Sequence, residues 1–576
     1  MSSNEKKEHL IYALAGKFFS RSYKLVNWKF NEAEILAPTP SLALFKYYKE
    51  KGVETKLKIL IPLSIFKIEE LLVNINNKLS FDNLVSKFKT DFENFYTNKL
   101  QNLLNRFKDI DIKESKQVYK EIKAFVSFFN ENINWKNLDG LFEEVVNEEK
   151  NLKKFVDVLN NSLKENEILE KLKDTDKEWK KLFQNSIEYE IIPSIGLYKK
   201  EVEKDKILKI LKFNGRFQDR VLYFYTLFGS DFIQRIQKIN NSKFNVYLDV
   251  SIGLNSLVVE LLESFYNAIV LWNFYFLGKE ENKGSFYLIS AEPINDIPNR
   301  EEPKYFSTEQ IKKLTFFAKP LAKKQIKELG SISSNFKKFT GFELNKIINQ
   351  SILLFNILEK GIILGLTLEP QLIKSEKIIE ILKRFLNQKK ELLKLNIKET
   401  EIQIYINPKN YNYFSFRNLT YLLMLGTNIV KNIQNSFPTF YKEKETYINL
   451  TIDGLPIEQT IKNFKQLFKQ YNLDMNNIFL EKEWDKNRIL GLKKRANGKP
   501  KLLIEFNKNK NYKQCYKNLN PWSYIKNKGT KRNFLAHMGT EDCITEVYKE
   551  NEILYLKYRD DFKKAIREFI INDFEL

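Results

Sequence analysis

Two histidines and two cysteines are all that the 576 residues offer for soft-metal or disulfide chemistry. No zinc finger, Cys/His metal cluster or disulfide framework can be assembled from so few. A histidine that does chemistry here is either His9 or His537. Glycine (19) and proline (14) are scarce, which excludes collagen-like and low-complexity chains. Long apolar runs are scarce too. The longest uncharged stretch, Phe265 to Gly278, falls short of the ~18–20 residues a membrane span needs and reads as a buried core helix. Lys6 and Lys7 before Leu10–Ala15 imitate a signal peptide. Lys17, Arg21 and Lys24 follow at once without a cleavage site, which argues against one. Cys515 and Cys543 are then expected to be free thiols in a reducing cytoplasm.

What the sequence has is positive charge. Lys and Arg number 95 against 73 Asp and Glu, a net of +22, and 43% of the residues are hydrophobic. The length predicts more than one domain with ample core, and the charge suggests a polyanionic partner such as nucleic acid. A Lys-, Asn- and Ile-rich composition would carry some excess charge without any such partner. Its distribution is more telling: residues 491–540 hold thirteen Lys or Arg against the single acid Glu505, a local net of +12.

Along the chain, His9–Gly16 reads as a strand ending in glycine, Ser41–Gly52 as a helix and Leu57–Pro62 as a second strand: the parts of a βαβ unit. From about 66 to 183 apolar residues recur at helical spacing, as in a helical insertion. Strands are expected at Ile187–Ile192, Phe244–Val250 and Ser285–Ser290, with helices at about 217–238 and 257–277. Glu292–Lys304, with three prolines, marks a domain boundary. Beyond it, helices are expected at about 308–328, 341–366, 372–396, 415–435 and 553–573, interrupted by strands at Glu401–Ile406 and Thr446–Ile452. The fold class is thus an α/β, Rossmann-like domain over 1–295 with a helical insertion, then a mainly α-helical domain over 296–576 with small β elements.

Two segments carry candidate chemistry. In LDVSIGLNS a buried strand ends in small polar residues and a helix begins, which aims free backbone N–H groups and the positive helix end at the sheet's carboxyl edge. Ser251, Gly253, Asn255 and Ser256 suit a phosphate or other polar anion there. Gly16, Ser194 and Gly196, at the ends of two other strands, can line the same edge. The same residues also fit ordinary strand–helix turns with Ser or Asn caps. Neither G-x-G-x-x-G nor G-x-x-x-x-G-K-[ST] is present, so NAD and P-loop ATP sites are not expected.

The second segment is GTKRNFLAHMGTEDC, at the end of the basic stretch. His537 can move a proton near neutral pH, Arg532 can hold a phosphate and its developing charge, and Asn533 can orient either. This suits metal-free cleavage of RNA to a 2′,3′-cyclic phosphate and a 5′-hydroxyl. Five positions at about 100° each set the Arg and His side chains about 140° apart, so two copies across a twofold axis would line one groove better than one. A solvated arginine with a structural histidine fits the same residues. Lys493, Lys494, Arg495 and Lys531 are candidate RNA contacts or a solvated charge run. Trp522 and Tyr524 can stack on bases or pack.

RNFLAHMG resembles the signature of HEPN ribonucleases. HLIYALAG, the segment from Trp28 through Pro62, and LDVSIGLNS resemble a CRISPR-associated Rossmann-fold (CARF) sensor. Together they are similar to the CARF–HEPN ancillary ribonucleases of type III CRISPR systems, of the Csx and Csm kind, though about 66–183 and much of 370–490 stay outside the likeness. The resemblance implies a cytoplasmic homodimer, or a higher homo-oligomer, with no cofactor. Cyclic oligoadenylate would bind at Gly16, Ser194, Gly196, Ser251, Gly253, Asn255 and Ser256, cyclic tetra-adenylate ahead of hexa-adenylate. It would switch on single-stranded RNA cleavage at Arg532, Asn533 and His537. Ser251 stands where many relatives have threonine and Asn255 where they often have lysine. This leaves ring size, and any cleavage of the activator, open. A ligand-responsive nucleic-acid-binding regulator and a HEPN toxin of a toxin–antitoxin pair are the alternatives.

Overall fold

Five apolar runs of the first half lie side by side as parallel strands. They are Lys6–Leu14, Glu54–Pro62, Ile187–Ile192, Ser242–Asp249 and Gly284–Ser290. Counted along the chain, their spatial order is 3-2-1-4-5, and Lys304–Ser307 adds an antiparallel edge to the fifth. The computed structural model describes residues 6–15, 26–30, 33–66, 82–130, 133–147, 152–165, 167–194, 196–201, 208–214, 216–238, 242–250, 255–277, 284–290, 304–307, 344–369, 371–387, 393–397, 401–406, 413–471, 473–506, 515 and 519–572.

The central strands carry apolar residues toward both faces because both faces of the sheet are covered. Leu10, Tyr12 and Leu14 face the helices Phe217–Ile236 and Asn255–Phe276, while Ile11 and Ala13 face the helix Pro40–Glu50. That helix starts where the sequence puts it: the Thr39 hydroxyl accepts the Leu42 N–H at 3.3 Å, Pro40 takes the first position, and Gly52 follows at φ +71°. Between the second and third strands, six helices from Asp82 to Phe183 form the inserted bundle on the Ile11 face. The sheet order reverses between the first and fourth strands. Open α/β sheets take ligands at the carboxyl ends of such a pair.

A second sheet joins distant parts of the chain. The hairpin Gly196–Glu201 and Leu208–Asn214 pairs in parallel with Glu401–Ile406, which pairs in turn with Leu393–Ile397. One apolar cluster also runs from the helix Asn255–Phe276 through the helices Tyr413–Ser436 and Leu344–Glu359 to the helix Asp560–Asn572.

The helix through Leu257–Phe276 corrects the sequence reading in one respect. Its 20 residues, at a mean hydropathy of 1.3, are long and apolar enough to cross a membrane. The helix reaches this length by including Glu260 and Glu263, which lie before the uncharged stretch from Phe265. In this fold its face bearing Phe265, Leu271 and Trp272 is fully buried against the sheet and its neighbours. A second correction concerns the C-terminal end. The expected helix at about 553–573 begins only at Asp560, and Ile553–Tyr558 is a strand paired with Thr545–Glu550. Asn551 and Glu552 take φ of 46° and 62°, the left-handed pair of a tight hairpin turn. Leu554, Leu556 and Tyr558 are buried at the strand period of two.

Candidate functional site

The helix Lys528–Ala536 carries the Arg532–His537 segment. The Asn527 side chain opens it, accepting the Gly529 N–H at 2.9 Å. Phe534 is buried, with ring centres 6.3 Å from Tyr558 and 6.2 Å from Phe569, and pins the helix to the core. Arg532 and Asn533 are therefore on the outside, exposed, and among the described residues their side chains make no hydrogen bond.

His537 is the residue on which the helix ends. Met538 and Gly539 follow at φ 53° and 81°, and the Gly539 N–H returns to the Phe534 carbonyl at 2.7 Å. This turn is braced from three sides. The Ile363 N–H donates to the Met538 carbonyl at 3.2 Å, the Tyr558 hydroxyl donates to the Gly539 carbonyl at 2.9 Å, and Met538 is buried. A Cβ on Gly539 would meet Ile362 Cγ2 at 2.5 Å, so glycine is required there on two counts.

The imidazole is half-exposed and, among the described residues, hydrogen-bonds to one side chain. Its Nδ1 lies 3.1 Å from Glu483 Oε2, on the last residue of the helix Asp474–Glu483. The other carboxylate oxygen of Glu483 pairs with the Arg488 guanidinium, which also donates to the Glu483 carbonyl at 2.9 Å and lies 4.5 Å from the Trp484 ring centre. The hydrogen bond to Glu483 raises the His537 pKa, against burial and the Arg488 charge. Burial pushes Glu483 the other way, toward neutrality, but His537 and Arg488 outweigh it and its pKa ends below the ordinary carboxylate value.

The other nominated residues fall out unevenly. No side-chain contact between Arg532 and His537 is described. Lys494 is exposed. Lys493 is engaged by Glu458 at 2.8 Å, Arg495 by the carbonyls of Gly491 and Phe506, and Lys531 lies 5.7 Å from the Phe569 ring centre. Tyr524 packs rather than stacks outward: its hydroxyl donates to the buried Glu541 at 2.9 Å. Cys515 and Cys543 are joined in a disulfide, Cα atoms 5.2 Å apart, not free thiols as expected. The Arg559 guanidinium donates to the carbonyls of both, and so brings together positions 28 residues apart.

In the parallel-sheet half, Gly16, Ser251 and Gly253 lie outside the described residues. Asn255 and Ser256 open the helix Asn255–Phe276, whose backbone alone is described there. Ser194 is buried and its hydroxyl is bonded to both the N–H and the hydroxyl of Ser64, 2.8 and 2.9 Å away. Gly196 begins the strand paired with Phe213. Among the described residues no group of three His, Cys, Asp or Glu side chains is arranged to hold a metal ion.

The C-terminal arrangement is thus a carboxylate-anchored histidine at a helix end, with an exposed arginine and asparagine on the preceding turn. The family model of the HEPN domain of the CRISPR system endoribonuclease Csx1 matches residues 473–560. No curated protein matches the chain. The matched span opens on the helix that supplies Glu483 and closes just after Tyr558, so it encloses the groups that hold His537 as well as the motif itself. Glu483, Arg488 and Tyr558 were missed from sequence. One acid among 73 carries no mark of its partner, and the single acid within the basic stretch, Glu505, instead accepts the Leu502 N–H.

Proposed function

We propose that this chain is a CRISPR-associated endoribonuclease whose site is Arg532, Asn533 and His537. The carrying observation is the His537 ring at the end of the motif helix, inside the segment that matches the Csx1 HEPN domain. Nδ1 is taken by Glu483, and Nε2 has no partner among the described residues. Cleavage runs through the substrate's own 2′-oxygen, without a metal ion. That oxygen attacks phosphorus, the P–O5′ bond breaks, and the products are a 2′,3′-cyclic phosphate and a 5′-hydroxyl. A raised histidine pKa suits the donor of the proton that O5′ gains. The proton leaving the 2′-hydroxyl passes to a second, neutral His537 or to water. Arg532 pairs with the non-bridging oxygens as charge builds there.

The active form is a homodimer. Arg532 and His537 diverge on one helix, so two motif helices across a twofold supply the cation of one copy to the histidine of the other. Beside the site, Met475, Ile478 and Phe479 form an exposed apolar face one helical repeat long, with Leu490 exposed on the next helix. Their exposures of 61, 57, 50 and 53% are what a buried self-contact would remove.

The parallel-sheet half is the sensor, a Rossmann-like CARF domain. Its reversed strand order supports this, with LDVSIGLNS at the carboxyl end of the fourth strand. Cyclic oligoadenylate bound there favours the cleaving arrangement by differential affinity for it. The test is incubation of the full chain with single-stranded RNA in EDTA, with and without cyclic tetra- or hexa-adenylate. Activator-dependent fragments ending in 2′,3′-cyclic phosphate support the reading. Activator-dependent RNA or DNA binding without cleavage contradicts it.

A further inference from the structure

We infer that Glu483, fixed by Arg488, is a positioning residue that sets the His537 ring and leaves Nε2 to meet the scissile phosphodiester; the inference rests on the ribonuclease reading above. The need for such a residue is geometric. His537 stands at a helix end, half-exposed, with the chain turning sharply after it. Among the described residues its ring is hydrogen-bonded by Glu483 alone. A carboxylate on Nδ1 fixes the tautomer with Nδ1 protonated and holds the ring plane.

Glu483 is built to do this. Its side chain is only 14% exposed, so the bond to His537 is shielded from competing water. Its two oxygens are divided: Oε2 faces His537 and Oε1 faces Arg488. Arg488 is itself held by several contacts. Its guanidinium lies over Trp484, it donates to the Glu483 carbonyl, and its own N–H is capped by Asp485 at 2.7 Å. The chain from Trp484 to His537 therefore passes through groups each held by a second contact. The charged groups facing the ring come from three elements: Glu483 ends the helix Asp474–Glu483, Arg488 is in the helix Lys486–Arg495, and Asp542 follows the motif. Their balance favours the imidazolium, with the Glu483 contributions outweighing Arg488.

The role of Glu483 differs from that of a simple structural anchor in what it controls. Removing its charge while keeping its shape should change the proton affinity and tautomer of His537, and only through these the cleavage rate. The sequence makes this measurable, because the chain holds just two histidines. His9 is buried and its pKa is pushed down to about 4, so a histidine signal titrating near neutral pH belongs to His537.

The experiment compares full-length wild type, Glu483→Gln and Glu483→Asp, each labelled with ¹³C and ¹⁵N in histidine, by ring NMR titration. Activated RNA cleavage is followed from pH 5 to 9 on the same proteins. In Glu483→Gln the His537 titration should move down and the Nδ1-protonated preference should fade. kcat should fall about 10–100-fold with little change in KM, and the alkaline limb of the rate profile should shift to lower pH. Glu483→Asp should retain part of the raised titration. An His537 titration identical in wild type and both variants overturns the assignment. If Glu483→Gln does not fold, the comparison of Glu483→Asp with wild type decides by the same criterion. A shifted titration in a protein that never cleaves RNA supports the contact and removes the ribonuclease reading instead.

Discussion

The Tyr558 hydroxyl donates to the Gly539 carbonyl across 2.9 Å in the buried interior, two residues beyond His537. The last residue of the C-terminal hairpin thus fixes the turn that aims the candidate catalytic ring. Tyr558→Phe leaves that carbonyl unpaired and should cost about 1–2 kcal/mol in denaturant unfolding. Gly539→Ala meets both the φ of 81° and the 2.5 Å approach of Ile362, and should cost more. Both should lower RNA cleavage, the second more strongly, because the His537 backbone shifts with the turn.

Arg532 is exposed and makes no hydrogen bond among the described residues, so Arg532→Ala should leave stability within about 0.5 kcal/mol. If it binds phosphate in the transition state, cleavage should fall about 100-fold or more. Unfolding curves beside rates separate the two effects. A full-rate variant would show the arginine to be merely solvated.

The apolar face on the helix Asp474–Glu483 predicts the oligomer. Phe479→Glu puts a charge on a residue that is 50% exposed in the single chain, so the monomer should fold normally. A dimer held through that face should dissociate, and activated cleavage should fall with it. Light scattering at matched concentrations reads the mass. An unchanged dimer would place the contact elsewhere.

His9 sits against Tyr48, with ring centres 4.0 Å apart, and its Nε2 is 3.2 Å from Asn245. Burial first, and then Lys7, lowers its pKa from 6.5 to about 4. A depressed folded pKa means the unfolded chain takes the proton first as pH falls. Stability from this residue is therefore complete above pH 6.5 and is lost between there and about 4, to a total of about 3 kcal/mol. His9→Gln should flatten the fall in unfolding midpoint between pH 7 and 5 relative to wild type.

Much of the architecture was legible because it is written locally. Thr39-Pro40 opens a helix, Gly52 closes it, and the strands through Ile11, Ile59 and Val246 are rich in apolar residues because both sheet faces are packed. What failed depends on partners far along the chain. Glu401–Ile406 reads as a strand, yet its parallel pairing with Leu208–Asn214 rests on register across some 190 residues and leaves no local trace. Asn551-Glu552 is a weak turn signal beside Asn-Gly, so the period-two burial after it was taken into the following helix. Glu483 lies 54 positions from His537, and Cys515 is joined to Cys543 across a separation of 28. Proximity of that kind is a product of the fold.

The most direct measurement is cleavage of single-stranded RNA in EDTA, with and without cyclic tetra-adenylate and hexa-adenylate, by wild type and His537→Ala side by side. The account predicts activator-dependent cleavage by wild type and a loss of about 100–10,000-fold in the variant, with folding intact. Undiminished cleavage by His537→Ala would contradict it.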